Sequence, residues 1–377
     1  MHSLSVQIRR SSLVVLVFAS ILAAAAPGQA AAPDTRKTEN VILVTLDGLR
    51  WQEVFAGADE AMMNDDFGKV KDLPRLKRRY ERPTATERRE VLMPFLWNTI
   101  AKHGTLLGNP EDDSEVVVTN RLNFSYPGYS EILCGVVDPG IDSNSKINNP
   151  NVTVLEWLSR REPFRGHVAA FCSWDVFPFI INEERSGISV NAGWEPLASG
   201  AGENSAVLRE LDEIGSELPQ YWDNVRYDYF TFRGAQECLT KQRPRVLYVS
   251  LGETDDWAHA GRYDLYLDAA WHNDDYIRRL WETAQSLPQY RDKTSLVITT
   301  DHGRGPDRVE WKNHGEDVPD CERIWIAVLG PDTDPGAAAI ARATQSQVAA
   351  TVAALLGLDF RSDIPAAAPP LPVCAVP

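Results

Sequence analysis

The chain has 377 residues, of which 44% are hydrophobic and 24% are charged, and its formal net charge is −15. This length allows one large α/β domain or two domains of medium size. The negative charge argues against nucleic acid or an anionic membrane surface as the main partner, because both need a basic surface. A small anionic substrate stays compatible with this charge, since bound metal ions reverse the local field.

The first 32 residues have the pattern of a secretory signal peptide. Arg9 and Arg10 precede an apolar run from Leu13 to Ala26, and small residues follow up to Ala32. The run is shorter than the roughly 20 apolar residues that span a bilayer. We therefore expect a cleaved leader over residues 1–32, a periplasmic or secreted protein, and no membrane span in the mature chain. A twin-arginine signal is the alternative interpretation of the arginine pair.

The cysteines do not indicate a thiol site. The chain has five of them, widely spaced, and no two form a Cys-x-x-Cys pair. This spacing argues against thiolate zinc sites and thioredoxin-like redox centres. Export permits disulfides, of which at most two can form.

Apolar runs alternate with helix-like stretches along the chain. Strands separated by helices imply an α/β fold with a mostly parallel central sheet and helices on both faces. Periodicity and stop signals predict these elements in chain order: a strand over 41–46, a helix over 93–103, a helix from about 127 to 137, a helix over 153–159, strands over 167–172 and 246–251, a helix over 263–286, strands over 295–300 and 324–329, and a helix over 345–356.

The sequence also predicts the domain organisation. We find no internal repeat and no clear linker, so we predict one domain over residues 33–364. Residues 173–224 have poor periodicity and many Gly, Pro and Trp residues, and we interpret them as an insertion or cap over the site. Residues 365–377 are rich in Pro and Ala, which is typical of an extended tail.

Three of the predicted strands are followed closely by an acidic residue: Asp47, Asp255 and Asp301. In open α/β sheets, ligands bind beyond the carboxyl ends of the strands. We therefore expect the three carboxylates to converge, although each alone has an ordinary explanation as a turn or N-cap residue.

Histidines accompany these acids. His259 follows Asp255 by four residues, which places both side chains on one face of a helix. His302 directly follows Asp301, and His314 lies on an irregular segment twelve residues later. With Asp47, these residues make six N and O ligands without any Cys, a set that suits two divalent metal ions. Zinc is the expected metal, with iron or manganese as alternatives.

Ser125 is the expected nucleophile. Pro127 is well placed in the first turn of a helix, which would put the Ser125 hydroxyl at the helix N-terminus. A hydroxyl bound to a metal there is acidified, and the helix N-terminus favours an anionic phosphate. The alternatives are that Ser125 is a simple N-cap, or that Ser130 is the reactive hydroxyl.

The order of these motifs resembles the alkaline phosphatase superfamily: Asp-Gly, Ser/Thr-x-Pro, Asp-x-x-x-His, Asp-His-Gly and His-Gly. Residues 46–50 and 125–135 are most similar to its nucleotide pyrophosphatase/phosphodiesterase branch. The resemblance implies a hydrolase of phosphoric esters, a phosphodiesterase or phosphomonoesterase that forms a phosphoserine on Ser125. It also implies two zinc sites, one formed by Asp255, His259 and His314, and one by Asp47, Asp301 and His302 with Ser125 bonded to its metal.

The chain departs from this branch after Pro127, where Gly128 and Tyr129 replace the usual Asn-His. Members of the branch also hold the phosphate with an Asn about twenty residues beyond the nucleophile. Three residues are candidates for that role here: Asn144, Asn148 and Asn149.

The expected partner is a small phosphate ester rather than a nucleic acid duplex. Arg304 or Lys312 could supply the extra cation that a monoesterase needs, and both could equally be surface residues. Trp51 and Trp257 could stack a base or aryl group of a diester, or pack in the core. The alternatives of the same superfamily are a sulfatase, which Tyr129 in place of the expected Arg disfavours, and a phosphotransferase. A non-catalytic metal-dependent binding protein is the alternative of another class.

Overall fold

Continuous apolar runs form the strands at the centre of the protein. The computed structural model describes residues 36–199, 205–333, 335 and 340–373, so the predicted leader over 1–32 lies outside the described residues. The strands are β1 Asn40–Leu46, β2 Thr105–Leu107, β3 Glu115–Val117, β4 Val168–Cys172, β5 Ser189–Ala192, β6 Val246–Leu251, β7 Thr294–Thr299, β8 Arg323–Ile324, β9 Ile326–Leu329 and β10 Arg342–Thr344.

The α-helices cover both faces of the sheet. They are α1 Trp51–Ala56, α2 Asp65–Gly68, α3 Leu73–Tyr80, α4 Ala85–Leu92, α5 Ala101–His103, α6 Ser125–Cys134, α7 Val154–Ser159, α8 Phe177–Ile180, α9 Glu183–Ser186, α10 Ala206–Glu217, α11 Asp228–Lys241, α12 Glu253–His259, α13 Tyr263–Ser286 and α14 Gln347–Leu355. A π-helical segment, Leu96–Ile100, runs directly into α5.

Seven strands form the main sheet in the order β2-β9-β7-β1-β6-β4-β5, and β10-β3-β8 form a small second sheet. The pairs β7-β1, β1-β6, β6-β4 and β4-β5 are parallel. Strand β9 runs antiparallel to both of its neighbours. The predicted α/β fold with a mostly parallel sheet is therefore confirmed.

Side chains of the central strand β1 divide between two hydrophobic clusters. Ile42 and Val44 belong to the cluster that contains α13, whereas Val41 and Leu43 belong to the cluster that contains α6, α7 and α14. This alternation is the period of two that a strand imposes, so each cluster fills one face of the sheet.

Most predicted elements agree with the structure. The helix predicted up to 137 ends at Cys134, and the helix predicted over 93–103 contains the π-helical segment Leu96–Ile100. The strand predicted over 324–329 is divided at Trp325, because β8 pairs with β3 in the small sheet and β9 pairs with β7 in the main sheet. The predictions of a cap over 173–224 and of a tail over 365–377 stay predictions. Part of the first segment is the edge strand β5, and in the second Leu371 and Val373 are buried.

Two further observations concern the described part of the chain. None of its helices combines the length and the apolar character that crossing a membrane requires. Its four cysteines are buried and free: Cys134, Cys172, Cys238 and Cys321.

Candidate metal centre

The three strand-end acids lie at neighbouring strands in the middle of the main sheet. Asp47 follows β1, Asp255 lies in the first turn of α12 after β6, and Asp301 follows β7. Because β7, β1 and β6 are adjacent and parallel, their carboxyl ends meet at one edge. The structure therefore brings together the three carboxylates that sequence position alone indicated.

Asp47, Asp301 and His302 form one buried cluster. The Nε2 atom of His302 lies 3.4 Å from Asp47 Oδ1 and 3.4 Å from Asp301 Oδ2. Both carboxylate oxygens are buried without a hydrogen-bond partner. Burying two unpartnered carboxylate oxygens beside an imidazole nitrogen costs free energy of folding unless a cation binds them. These residues therefore fit a divalent metal ion.

Asp255, His259 and His314 form a second group. His259 Nε2 lies 3.3 Å from Asp255 Oδ2 and 3.0 Å from His314 Nε2. His314 Nε2 is also 3.7 Å from Asp255 Oδ1. His302 adjoins this group as well, since ligand atoms of Asp255, His302 and His314 lie within 4.8 Å of one another. The two sets of ligands that the family resemblance implied are thus neighbours in space.

Backbone carbonyls orient two of the imidazoles. His302 Nδ1 donates to the carbonyl of Gly303, and His314 Nδ1 donates to the carbonyl of Asn123, both at 2.9 Å. Each bond leaves the Nε2 lone pair for a metal, which is the usual arrangement of metal-ligating histidines. Asn123 holds its carbonyl there with a φ of 52°, in the left-handed region that Asn tolerates better than most residues.

Burial and neighbouring charges shift the pKa values in this cluster. Burial and then the Asp47 carboxylate raise the pKa of Asp301 to about 8. Burial lowers the pKa of His302, but the carboxylates of Asp301 and Asp47 outweigh it and raise that pKa to about 9. Burial and the proximity of His302 lower the pKa of His314, so this imidazole stays neutral at physiological pH.

Ser125 lies next to the first cluster. It is the first residue of α6 and is buried, and its Oγ is 3.5 Å from His302 Nε2. Ser130, the competing hydroxyl, lies inside the helix and accepts from Asn149 Nδ2 at 3.1 Å. Of the two hydroxyls, the structure places Ser125 beside the candidate ligands.

The Gly128-Tyr129 pair has a structural explanation. A Cβ on Gly128 would lie 2.3 Å from the backbone oxygen of Asp301, so only glycine allows α6 to approach that segment. The Tyr129 hydroxyl donates to Asp47 Oδ2 at 2.9 Å and is fully buried. Sequence reasoning missed this role of Tyr129, whose only signal was its departure from the family pattern.

The Arg304 side chain is placed differently from that of a phosphate-binding arginine. Arg304 is 1% exposed and directs its guanidinium at protein oxygens. Burial lowers its pKa to about 9, so it stays charged at neutral pH. Lys312 ends a short 3-10 turn, and its backbone oxygen accepts one of the Arg304 bonds.

The three candidate asparagines differ in the residues that they contact. Asn144 is exposed, and its Oδ1 accepts from the backbone N–H of Tyr126 at 2.9 Å, one residue after Ser125. Asn148 donates to Glu184, and Asn149 is buried against Ser130. Of the three, Asn144 is therefore the asparagine that bonds the backbone of the residue next to Ser125.

The two candidate tryptophans are partly buried against the core. Trp51 Nε1 donates to Asp320 at 3.1 Å. Trp257 Nε1 donates to Glu253 at 3.2 Å, and its ring contacts Tyr221 and Trp222. Both side chains thus have structural partners, as the core-packing alternative predicts.

Comparison by sequence finds limited likeness to known proteins. No family model matches the chain. Phosphopentomutase of Symbiobacterium thermophilum is 29% identical over 126 residues. That match covers 32% of this chain and only 28% of the mutase.

Comparison by structure covers most of the chain. Lipoteichoic acid synthase LtaP from Listeria monocytogenes matches with a TM-score of 0.53 at 11% identity, over 86% of this chain and 73% of that one. Murine ectonucleotide pyrophosphatase/phosphodiesterase 5, solved with AMP, matches with a TM-score of 0.51 at 13% identity, over 88% and 97%. The chain has the fold of the alkaline phosphatase superfamily. This superfamily includes sulfatases, phosphodiesterases and a mutase, so an alkaline-phosphatase-like fold serves several reactions.

Proposed function

We propose that this protein is an exported phosphoric ester hydrolase that uses two divalent metal ions, most readily zinc, and Ser125 as the nucleophile. One observation carries the proposal. The Ser125 hydroxyl lies at the start of α6, beside a buried cluster of two orphaned carboxylate oxygens and an imidazole. That combination suits acyl, phosphoryl or sulfuryl transfer to a hydroxyl, and Tyr129 in place of the arginine expected of a sulfatase favours phosphorus over sulfur.

Cations bound by these residues would acidify the hydroxyl and offset the negative charge of the phosphate. The Ser125 oxygen attacks phosphorus in line with the departing ester oxygen. Its bond to phosphorus forms as the bond to the leaving alcohol breaks, and the proton lost by the Ser125 hydroxyl ends on that alcohol. The intermediate is a phosphoryl ester of Ser125, which still carries the second alcohol when the substrate is a diester. Attack of water on phosphorus then restores the Ser125 hydroxyl and releases the second product. The N-terminus of α6 favours the anionic group throughout.

The substrate we propose is a phosphodiester rather than a monoester. A monoester carries a second negative charge, which an additional cation beside the phosphate would offset. Arg304 cannot fill this role without leaving its bonds to Gly48, Lys312 and Asp255. Asn144 supplies a neutral donor instead, since its Oδ1 is bonded beside Ser125 and its Nδ2 can donate to a phosphate oxygen.

The test is hydrolysis of aryl phosphate diesters, aryl phosphate monoesters and aryl sulfates by the zinc-loaded protein. We expect kcat/KM to be highest for the diester. Ser125→Ala should lower kcat about a thousandfold or more without changing the zinc content, whereas the matched variant Ser130→Ala should keep most of its activity. Full activity of Ser125→Ala, or faster turnover of the sulfate, would contradict the proposal.

A further inference from the structure

A single buried arginine contacts the segments that carry the candidate ligands. Arg304 lies two residues after His302, and all three of its guanidinium nitrogens donate to protein oxygens. Nε donates to the carbonyl of Gly48 at 3.2 Å, and Nη1 donates to the carbonyl of Lys312 at 2.7 Å. Nη2 donates to the carbonyl of Asp255 at 3.2 Å and also contacts the carboxylate of Asp255.

The partners of Arg304 come from separate parts of the metal centre. Gly48 directly follows Asp47, Asp255 is itself a candidate ligand, and Lys312 precedes His314 by two residues. We propose that Arg304 is a positioning residue that sets the spacing of the two ligand groups and does not bind the substrate phosphate. This inference rests on the metal centre of the proposed function.

The chemistry of the contacts requires an arginine. A guanidinium is planar and offers five donors in a fixed fork, so it can bond acceptors on several segments at once. A lysine offers a compact ammonium on a flexible stem and reaches fewer fixed acceptors. Carboxylates that ligate metals are commonly held by such outer hydrogen bonds.

Gly48 shows how tightly the guanidinium is enclosed. Its φ is +57°, and a Cβ there would lie 2.8 Å from Arg304 Nε and 2.9 Å from Asp255 Oδ1. Only a glycine leaves room for the arginine between the two acidic segments. The guanidinium therefore lies in the space that the missing Cβ of Gly48 leaves open.

The test compares Arg304→Lys with Arg308→Lys, an exposed arginine on the same loop that stacks on Phe67. Chelator-stripped proteins are titrated with zinc against a chromophoric competitor. We expect Arg304→Lys to bind zinc about 10- to 100-fold more weakly and Arg308→Lys to bind it as the wild type does. Calorimetric titration of the zinc-saturated proteins with inorganic phosphate should give similar dissociation constants for all three.

Unchanged zinc affinity of Arg304→Lys, with weakened phosphate binding, would overturn the inference in favour of direct phosphate contact. So would a variant whose circular dichroism shows no folded protein even at saturating zinc, because Arg304 would then support the whole domain. Neither titration needs turnover. A wild type that binds zinc but hydrolyses no phosphate ester would therefore reject the proposed function and leave this test intact.

Discussion

Tyr129 joins helix α6 to the candidate metal centre through one hydroxyl, which donates to Asp47 Oδ2. In Tyr129→Phe that oxygen loses its donor. We expect zinc affinity to fall about tenfold and the free energy of unfolding to fall by about 1–3 kcal/mol, as measured by competitive zinc titration and urea denaturation. Tyr126→Phe is the control, because its hydroxyl donates to the backbone of Ile147 and Phe179. An equal loss of zinc affinity in both variants would argue against a specific role of Tyr129.

Asn144 and Asn148 lie on the same loop and differ in their contacts. Asn144 bonds the backbone beside Ser125, whereas Asn148 donates to Glu184. We expect Asn144→Ala to lower kcat/KM for a phosphodiester about 10- to 100-fold, the effect of losing a hydrogen bond to a charged group. Asn148→Ala should change kcat/KM less than twofold, and the reverse order would move the phosphate donor to Asn148.

The pKa shifts in the first cluster predict how zinc binding depends on pH. Below pH 8, chelator-stripped protein holds a proton on the His302–Asp301 pair, because the neighbouring carboxylates raise the pKa of His302 and burial raises the pKa of Asp301. Zinc must displace this proton, so its apparent affinity should rise with pH, about tenfold per unit for each proton released. Calorimetry in two buffers of different ionisation enthalpy measures this release. Affinity independent of pH over this range would show that the ligands are already deprotonated.

The sequence predicted the site residues better than their supporting contacts. Acids at strand ends and histidines beside them form a local pattern, and the structure brings them together. The bonds that hold them do not form such a pattern: Tyr129 reaches Asp47 across 82 residues, and Arg304 reaches Gly48 across 256. Only the folded chain shows these pairings.

Helix α6 depends on a close approach to the backbone of Asp301. In Gly128→Ala the new Cβ would lie 2.3 Å from the Asp301 oxygen, so the helix or that segment must shift. We expect the variant to lose about 1–3 kcal/mol of stability and much of its activity, measured by thermal denaturation and diester hydrolysis. Gly215→Ala in α10 is the control.

A Cβ on Gly215 would meet only the Phe230 ring, at 3.6 Å. That substitution should stabilise the protein slightly, because alanine loses less backbone entropy in a helix than glycine does. Equal effects of the two substitutions would show that the contact of Gly128 with Asp301 has no special importance.

At the level of elements, long apolar runs were predictable and short pairings were not. Strands β1, β6 and β7 are continuous apolar segments, and the structure has them within one residue of their predicted limits. Strands β2, β3 and β10 have three residues each, and they pair because distant segments pass beside them. The division at Trp325 has the same cause, since the partners β3 and β7 decide which sheet each half joins.

The whole protein should be more stable with metal than without it. Chelation leaves the buried cluster of Asp47, Asp301 and His302 without a metal ion, and a ligand that binds only the folded state stabilises it by mass action. Zinc at one hundred times its dissociation constant adds about 2.7 kcal/mol per site. Differential scanning calorimetry should show a Tm that falls by several degrees after chelation and recovers on adding zinc. An identical Tm in both conditions would exclude a tightly bound metal.

The candidate acids follow β7, β1 and β6, which occupy the middle of the main sheet, while β2 and β5 lie at its edges. Each of the three strands is hydrogen-bonded to a neighbouring strand on both sides. The interior of the sheet therefore fixes the distances among the three acids. Insertions and substitutions near β2 or β5 can therefore change the two edges of the sheet without moving the candidate ligands. The chemistry of the centre and the shape of its outer strands are thus free to vary independently.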